Sequence, residues 1–374
     1  MKIDTFLVEK WLNKYEHDVE INCSETCVNP FTIGEFLTLM ERESFFQELW
    51  DTQLTYGYIP GSLDLRRGIA NLYTGLGPEN ILVAGGAIGA NFLVLYSLVE
   101  PRDTVISVFP TYQQLYSVAR SFGADVKLLK LNMGDCWLPD TGELRSLVDE
   151  KTRLIVINNP NNPTGSLIKD ERLKEICEIA GEAGAYLLSD ESYRGVYIDP
   201  DDTVSSVVEL YENGIATGSF SKPFSLTGLR LGWIAANRSI IEECELRRDY
   251  TTISNGMIAD AMAALAMENV DRIYERNREI VMTNYKIISD WVENEPLIEW
   301  VPPSASTVAF LKHKLGITSE ELCLRLMREK GVLLVPGTCF EMEGFLRIGW
   351  GGETEVLKEG LSRFKEFLDG YRAS

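Results

Sequence analysis

Lys222 stands in Ser219-Phe220-Ser221-Lys222, and Arg230 follows between Gly228 and Gly232. A lysine taken out of water holds its proton poorly, and its free amine can attack an aldehyde. The hydroxyls of Ser219 and Ser221 and the guanidinium of Arg230 are groups that a phosphate monoester recruits. The stretch therefore reads as an amine nucleophile beside a phosphate site.

Other stretches offer complementary chemistry. In Ala84-Gly85-Gly86-Ala87-Ile88-Gly89, glycines between an apolar run and a helical one let backbone N–H groups approach an anion. Tight strand–helix packing is the alternative. Tyr112, in Phe109-Pro110-Thr111-Tyr112, could stack on a flat heteroaromatic ring or simply lie half-buried. Asn158 to Gly165 holds two Asn-Pro units that fix a turn, and the Asn162 amide could donate to a phenolate oxygen. Asp190, in Ser189-Asp190-Glu191-Ser192-Tyr193, either caps a helix or faces a cation such as a protonated pyridine nitrogen. Tyr193 could donate to a phenolate oxygen. Arg347 lies in the apolar run Phe345 to Trp350. A buried guanidinium there needs an anion: a substrate carboxylate gripped bidentately, or an internal salt bridge.

The elements that position these residues are legible from residue 80 onward. Apolar or β-branched runs recur at Ile81–Ala84, Thr104–Phe109, Asp125–Leu129, Leu154–Ile157, Tyr186–Ser189, Ile215–Ser219 and Leu231–Ala235. Helical patterns such as Tyr112–Phe122 and Lys169–Ala183 separate most of them. The alternation predicts a three-layer α/β/α domain with a mostly parallel sheet, whose ligands gather at the carboxyl ends of the strands. Strands at Ser306–Leu311, Val332–Val335 and Phe345–Trp350, with helices at Ser319–Lys330 and Glu353–Leu368, predict a smaller α+β unit. The expected division is 48–285 for the large unit, with 1–47 and 286–374 forming the small one.

Composition narrows the function classes. The 374 residues carry 36 basic against 56 acidic side chains, net −20, so no overall positive field draws a nucleic acid or an anionic membrane. Ile81 to Val99 lacks any charge, but its glycines and Asn91 favour strand, turn and helix over a membrane span. Seven cysteines at irregular spacing and two histidines suggest free thiols in a cytoplasmic protein and no metal site. Both histidines read as surface residues.

Taken in order, Asn162-Pro-Thr-Gly, Asp190-Glu-x-Tyr193, Ser219-x-Ser-Lys222, Gly228-x-Arg230-x-Gly232 and Leu346-Arg347-Ile348 resemble the fold-type I pyridoxal-phosphate enzymes of the class I/II aminotransferase superfamily. The resemblance implies pyridoxal 5'-phosphate as cofactor and Lys222 as the Schiff-base lysine and proton shuttle. It implies Asp190 on the pyridine nitrogen, Asn162 and Tyr193 on the phenolate oxygen, and Tyr112 stacked on the ring. Gly86, Ala87, Ile88, Ser219, Ser221 and Arg230 would hold the phosphate. Arg347, with Asn162, would bind the substrate. Tyr56, ahead of Gly61 and Leu65-Arg66, matches a tyrosine that reaches the neighbouring subunit's phosphate, which implies a homodimer with shared sites.

The implied activity is transfer of an amino group between an α-amino acid and a 2-oxo acid. Elimination or replacement on the same scaffold is an alternative, although Tyr193 stands where C–S lyase relatives carry histidine. Tyr193-Arg194-Gly195 and the stretch Arg248 to Ser254 also resemble capreomycidine synthase-like proteins, which implies a cyclase. A non-catalytic cofactor-binding regulator is disfavoured by the intact Lys222, Asp190 and Arg347.

Overall fold

The computed structural model describes residues 2–372. The apolar runs become seven strands: β1 (Ile81–Ala84), β2 (Thr104–Phe109), β3 (Asp125–Lys130), β4 (Thr152–Asn158), β5 (Tyr186–Asp190), β6 (Gly214–Ser219) and β7 (Gly232–Ala236). They form one sheet in the order β1-β7-β6-β5-β4-β2-β3. Strands β2 to β6 pair in parallel, and β7 runs antiparallel to both its neighbours.

Burial on both faces explains why these strands read as continuous apolar runs. In β4, Leu154 and Val156 join one core cluster, while Ile155 and Ile157 join another. Helices α3 (Gly86–Leu98) and α4 (Gln114–Ser121) cover the first side; α2 (Leu63–Ala70), α5 (Asp170–Ala183) and α6 (Met257–Glu268) cover the second. The charge-free run 81–99 resolves into β1, a glycine turn and α3. Among the described residues no helix is long and apolar enough to cross a membrane.

The second unit is an antiparallel sheet of β8 (Ile298–Glu299), β9 (Val308–His313), β10 (Val335–Pro336) and β11 (Phe345–Gly349), in the order β10-β11-β9-β8. Helices α8 (Ser319–Lys330) and α9 (Thr354–Arg372) pack on it through Leu322, Leu326, Leu361 and Phe364. Helix α8 stops at Gly331, whose φ of +70° ends the helix in the left-handed conformation. The units share elements across both expected boundaries. Helix α7 (Val270–Glu293) runs unbroken through residue 285, and Phe36, Leu37 and Met40 pack in a cluster with the large sheet. Helix α1 (Leu7–Tyr15) packs Val8 and Trp11 into the core that includes the small sheet.

Two expectations need correction. Val332–Val335 is not one strand: Val332–Leu333 pairs in parallel with Ile21–Asn22, and Val335 turns into the small sheet. A uniformly apolar run carries no mark of where it changes partners. His313 is not a surface residue either. It is 7% exposed on β9, and burial lowers its affinity for a proton, with Glu343 and the Leu315 backbone opposing.

Candidate active site

The carboxyl ends of the parallel strands open into a cavity of about 270 Å³. Strand β5 ends at Asp190, β6 at Ser219, and the turns after β2 and β4 carry Tyr112 and Asn162. Arg347 arrives from the other unit, on β11 opposite Phe310 and Val335. Lys222, Asp190, Tyr193, Asn162, Tyr112, Ser219, Ser221, Arg230, Ala87, Ile88 and Arg347 all line this one cavity.

One wall is built for an anion. Gly85 caps α3 without a side-chain bond, so the helix opens at Gly86, Ala87 and Ile88 with no side chain capping its N–H groups. A Cβ on Gly86, whose φ is +74°, would come within 3.2 Å of Arg230 Nη2. A Cβ on Gly232 would meet the Ala87 nitrogen at 2.5 Å. Glycine at both positions keeps the turn, β7 and Arg230 close together. Arg230 Nη1 reaches Ser221 Oγ at 3.4 Å, and Ser219 Oγ accepts the Ser221 N–H at 3.0 Å. Ile88, 38% exposed, carries no polar side-chain group to offer an anion.

Asp190 is buried and caps no helix. Its Oδ2 accepts from Asn91 Nδ2 at 2.7 Å; its Oδ1 accepts the Ser192 N–H at 3.0 Å and the Ser192 hydroxyl. Thr217 donates to Asn91 Oδ1 at 2.6 Å and so fixes the amide. Burial raises the Asp190 pKa, against the pull of these bonds and of Lys222.

Lys222 departs from the sequence expectation. Burial alone would lower its pKa, but Cys27, Tyr193 and Glu25 outweigh burial and raise it. Its Nζ donates to the Thr26 hydroxyl and approaches Cys27 Sγ at 3.3 Å. Removal from water does not by itself make it a base.

Three polar groups are left incompletely satisfied. The Tyr193 hydroxyl and Arg347 Nε are buried without a hydrogen-bond partner of normal geometry. Arg347 Nη1 meets Asn162 Oδ1 at 3.4 Å, a long bond, and Nη2 donates to the Ser24 carbonyl at 3.1 Å. Among the described residues no carboxylate stands within ion-pair distance of Arg347, which disposes of the internal salt bridge. Burial lowers its pKa, with Tyr193, Glu25 and Glu9 opposing. Tyr112 donates its hydroxyl to Glu9 Oε1 at 2.8 Å and packs its ring on Phe6 at 4.8 Å between centroids. Tyr56 lies outside the cavity, 79% exposed.

Sequence reasoning missed Asn91 and Ser192 as supports of Asp190, and Thr26, Cys27 and Glu9 as cavity neighbours. Asn91 left a signal, as a lone amide within the charge-free run. Ser192 lies two positions after Asp190, while Thr26, Cys27 and Glu9 come from the N-terminal segment and meet the site only through folding.

Behind the cavity, Glu191 and Glu209 share Arg194 at 3.8 and 3.5 Å. Burial pushes the Glu191 pKa up to about 7 from 4.5, against the attraction of Arg194. The folded chain therefore binds this proton more tightly than the unfolded chain. The contribution to stability is present below about pH 4.5 and is lost as pH rises to about 7, a change of roughly 3 kcal/mol. Glu191→Gln cannot titrate. Denaturant melts should show the variant gaining on the native chain between about pH 5 and about pH 8. A difference that does not vary with pH rules this out.

A three-layer α/β/α unit whose strand ends converge on a lysine places the chain among the fold-type I pyridoxal-phosphate enzymes. Within that class it belongs to the aminotransferase class I and II family, whose model matches residues 39–364. A capreomycidine synthase from Streptomyces vinaceus is 27% identical over 362 residues, covering 96% of this chain and 93% of its own. An aspartate aminotransferase from Pyrococcus horikoshii is 30% identical over 297 residues, 78% of this chain and 76% of its own. Among solved structures, a PLP-dependent aminotransferase from Streptococcus suis 89-1591 has a TM-score of 0.96 at 43% identity, covering 99% of both chains. A PLP-dependent cyclase has a TM-score of 0.91 at 25% identity, covering 99% of this chain and 98% of its own.

Pyridoxal 5'-phosphate is the cofactor of this family, and the residues present fit it. The anion wall has glycine where a Cβ would close it. A buried carboxylate, an unpartnered phenol and a lysine face the same space.

Proposed function

We propose that the chain is an aminotransferase that exchanges an amino group between an α-amino acid and a 2-oxo acid. The observation that carries this reading is Arg347. It is 2% exposed, faces the lysine's cavity and, among the described residues, lacks both an acidic partner and a partner for Nε. A substrate α-carboxylate supplies the missing anion, and its two oxygens suit the planar guanidinium. Holding that carboxylate fixes the direction of the substrate's Cα–H bond, a positioning effect.

When bound, pyridoxal 5'-phosphate supplies an aldehyde that condenses with amines and a cationic ring that draws electrons from Cα. Asp190 would keep the ring nitrogen protonated, and Asn91 and Ser192 keep Asp190 in place. Asn162 and Tyr193 would hold the phenolate oxygen, and Tyr112 would offer its ring to the cofactor's. The Gly86–Ile88 turn, Ser219, Ser221 and Arg230 would hold the phosphate. Lys222 Nζ removes the proton from the substrate Cα.

Tyr56 belongs to a proposed interface between two copies of this chain. Trp50, Leu54, Tyr56, Tyr58 and Tyr250 are each more than 70% exposed, an uncommon apolar surface for a monomer. Arg248 ties Tyr250's segment to the loop by donating to the Ile59 carbonyl. A homodimer would cover these residues and bring Tyr56 to the partner's phosphate site. The cytoplasm is the proposed compartment.

The test mixes purified holoprotein with single amino acids and follows conversion of the cofactor to its amine form by absorbance. At least one α-amino acid should convert it, in protein with a solution mass twice the 42.1 kDa chain. No conversion by any amino acid overturns transamination; a monomer overturns the shared site. Cyclisation is the second reading, favoured by the cyclase neighbour at TM-score 0.91. It would give a cyclic amino acid and leave the cofactor as aldehyde.

A further inference from the structure

Charge in the cavity is unevenly matched. Among its lining residues Lys222, Arg230 and Arg347 are cations, and Asp190 and Glu9 are carboxylates. The proposed function gives the first four their counterparts: the aldehyde, the phosphate, the substrate carboxylate and the ring nitrogen. Glu9 has no counterpart. Its one hydrogen bond within the described residues is the neutral Tyr112 hydroxyl at 2.8 Å, and no basic side chain stands within ion-pair distance of it. Its charge nonetheless reaches the substrate clamp, since it is among the groups opposing the fall in the Arg347 pKa.

The surroundings of Glu9 suggest a shape for the missing cation. Val8 and Leu12, its neighbours on α1, also line the cavity and give it an apolar flank. Such a flank suits a chain of methylenes, and the carboxylate beyond suits a charged tip. The opposite specificity lacks material. A substrate with a distal carboxylate needs another cation, and this chain's own lining offers none beyond the three already engaged.

We infer that Glu9 selects α-amino acids bearing an aliphatic stem and a terminal guanidinium or ammonium. The inference deepens the proposed function and rests on it for the turnover arm of its test. Glu9→Gln is the informative variant, because the amide oxygen still accepts from Tyr112 and only the charge is lost.

Calorimetry should measure binding of 5-guanidinopentanoate and of pentanoate to the holoenzyme. Both present a carboxylate to Arg347, and neither has an amine to react. The native protein should bind the guanidino acid about tenfold tighter, and Glu9→Gln should erase that margin while leaving pentanoate unchanged. In turnover, kcat/KM for arginine or lysine should fall about tenfold relative to leucine. Equal weakening of both acids would mean that Glu9 only holds Tyr112, and overturns the inference. So does native binding that does not distinguish them. A Glu9-dependent margin in a protein that converts no amino acid would keep the inference and remove transamination.

Discussion

Lys222→Ala should lose amino-acid turnover by about four orders of magnitude while the chain stays folded. The residue sits at the meeting point of the site, with Thr26, Cys27, Tyr193 and Glu25 all acting on its amine. Alanine removes both the attachment point for the aldehyde and the base for the Cα proton, so no neighbour inherits the work. The Cys27 thiol has its pKa raised by burial, with Lys222 opposing, so without Lys222 it is still less ionised and supplies no thiolate to act as the base. Borohydride should fix the cofactor to the Lys222 peptide in the native protein and leave the variant unlabelled. Added methylamine should restore part of the rate in the variant, because a small amine can occupy the vacated space. Residual turnover within tenfold of native would falsify Lys222 as the base.

How much of this site was legible depends on how local each signal was. The strands were readable because two helix layers bury both faces, so Ile81–Ala84 and Leu154–Ile157 are apolar without interruption. Several chemical residues then sit at or just past a strand end, as Asp190 ends β5 and Asn162 follows β4. The contacts that decide their state are not local. Thr26 reaches Lys222 across 196 positions, Glu9 reaches Tyr112 across 103, and Ser24 reaches Arg347 across 323. No periodicity records such pairs. The direction of the Lys222 shift has the same origin: burial lowers its pKa, while Cys27 and Glu25, supplied by a distant loop, raise it. Gly86 and Gly232 were visible as glycines, yet their reason appears only where a Cβ would strike Arg230 or Ala87.

Asp190→Asn tests whether the buried carboxylate acts by charge or by shape. The substitution preserves volume, and the surrounding bonds can adjust. With one donor end, the new amide faces the Asn91 amide. Asn91 can turn over, because the Thr217 hydroxyl that now donates to it can equally accept. The site then keeps its packing and loses one negative charge. If Asp190 serves only to brace the turn through Ser192, turnover should change little. If it opposes a protonated ring nitrogen, removing one member of a buried ion pair costs about 3–5 kcal/mol, and kcat should fall by about a thousandfold. Cofactor affinity should drop as well, measured by calorimetry on cofactor-free protein, and this readout does not depend on chemistry. Loss of kcat with a native melting curve assigns the effect to charge. Loss of both would mean that the Asn91–Asp190–Ser192 network chiefly holds the end of β5 together, and full activity would remove Asp190 from the mechanism.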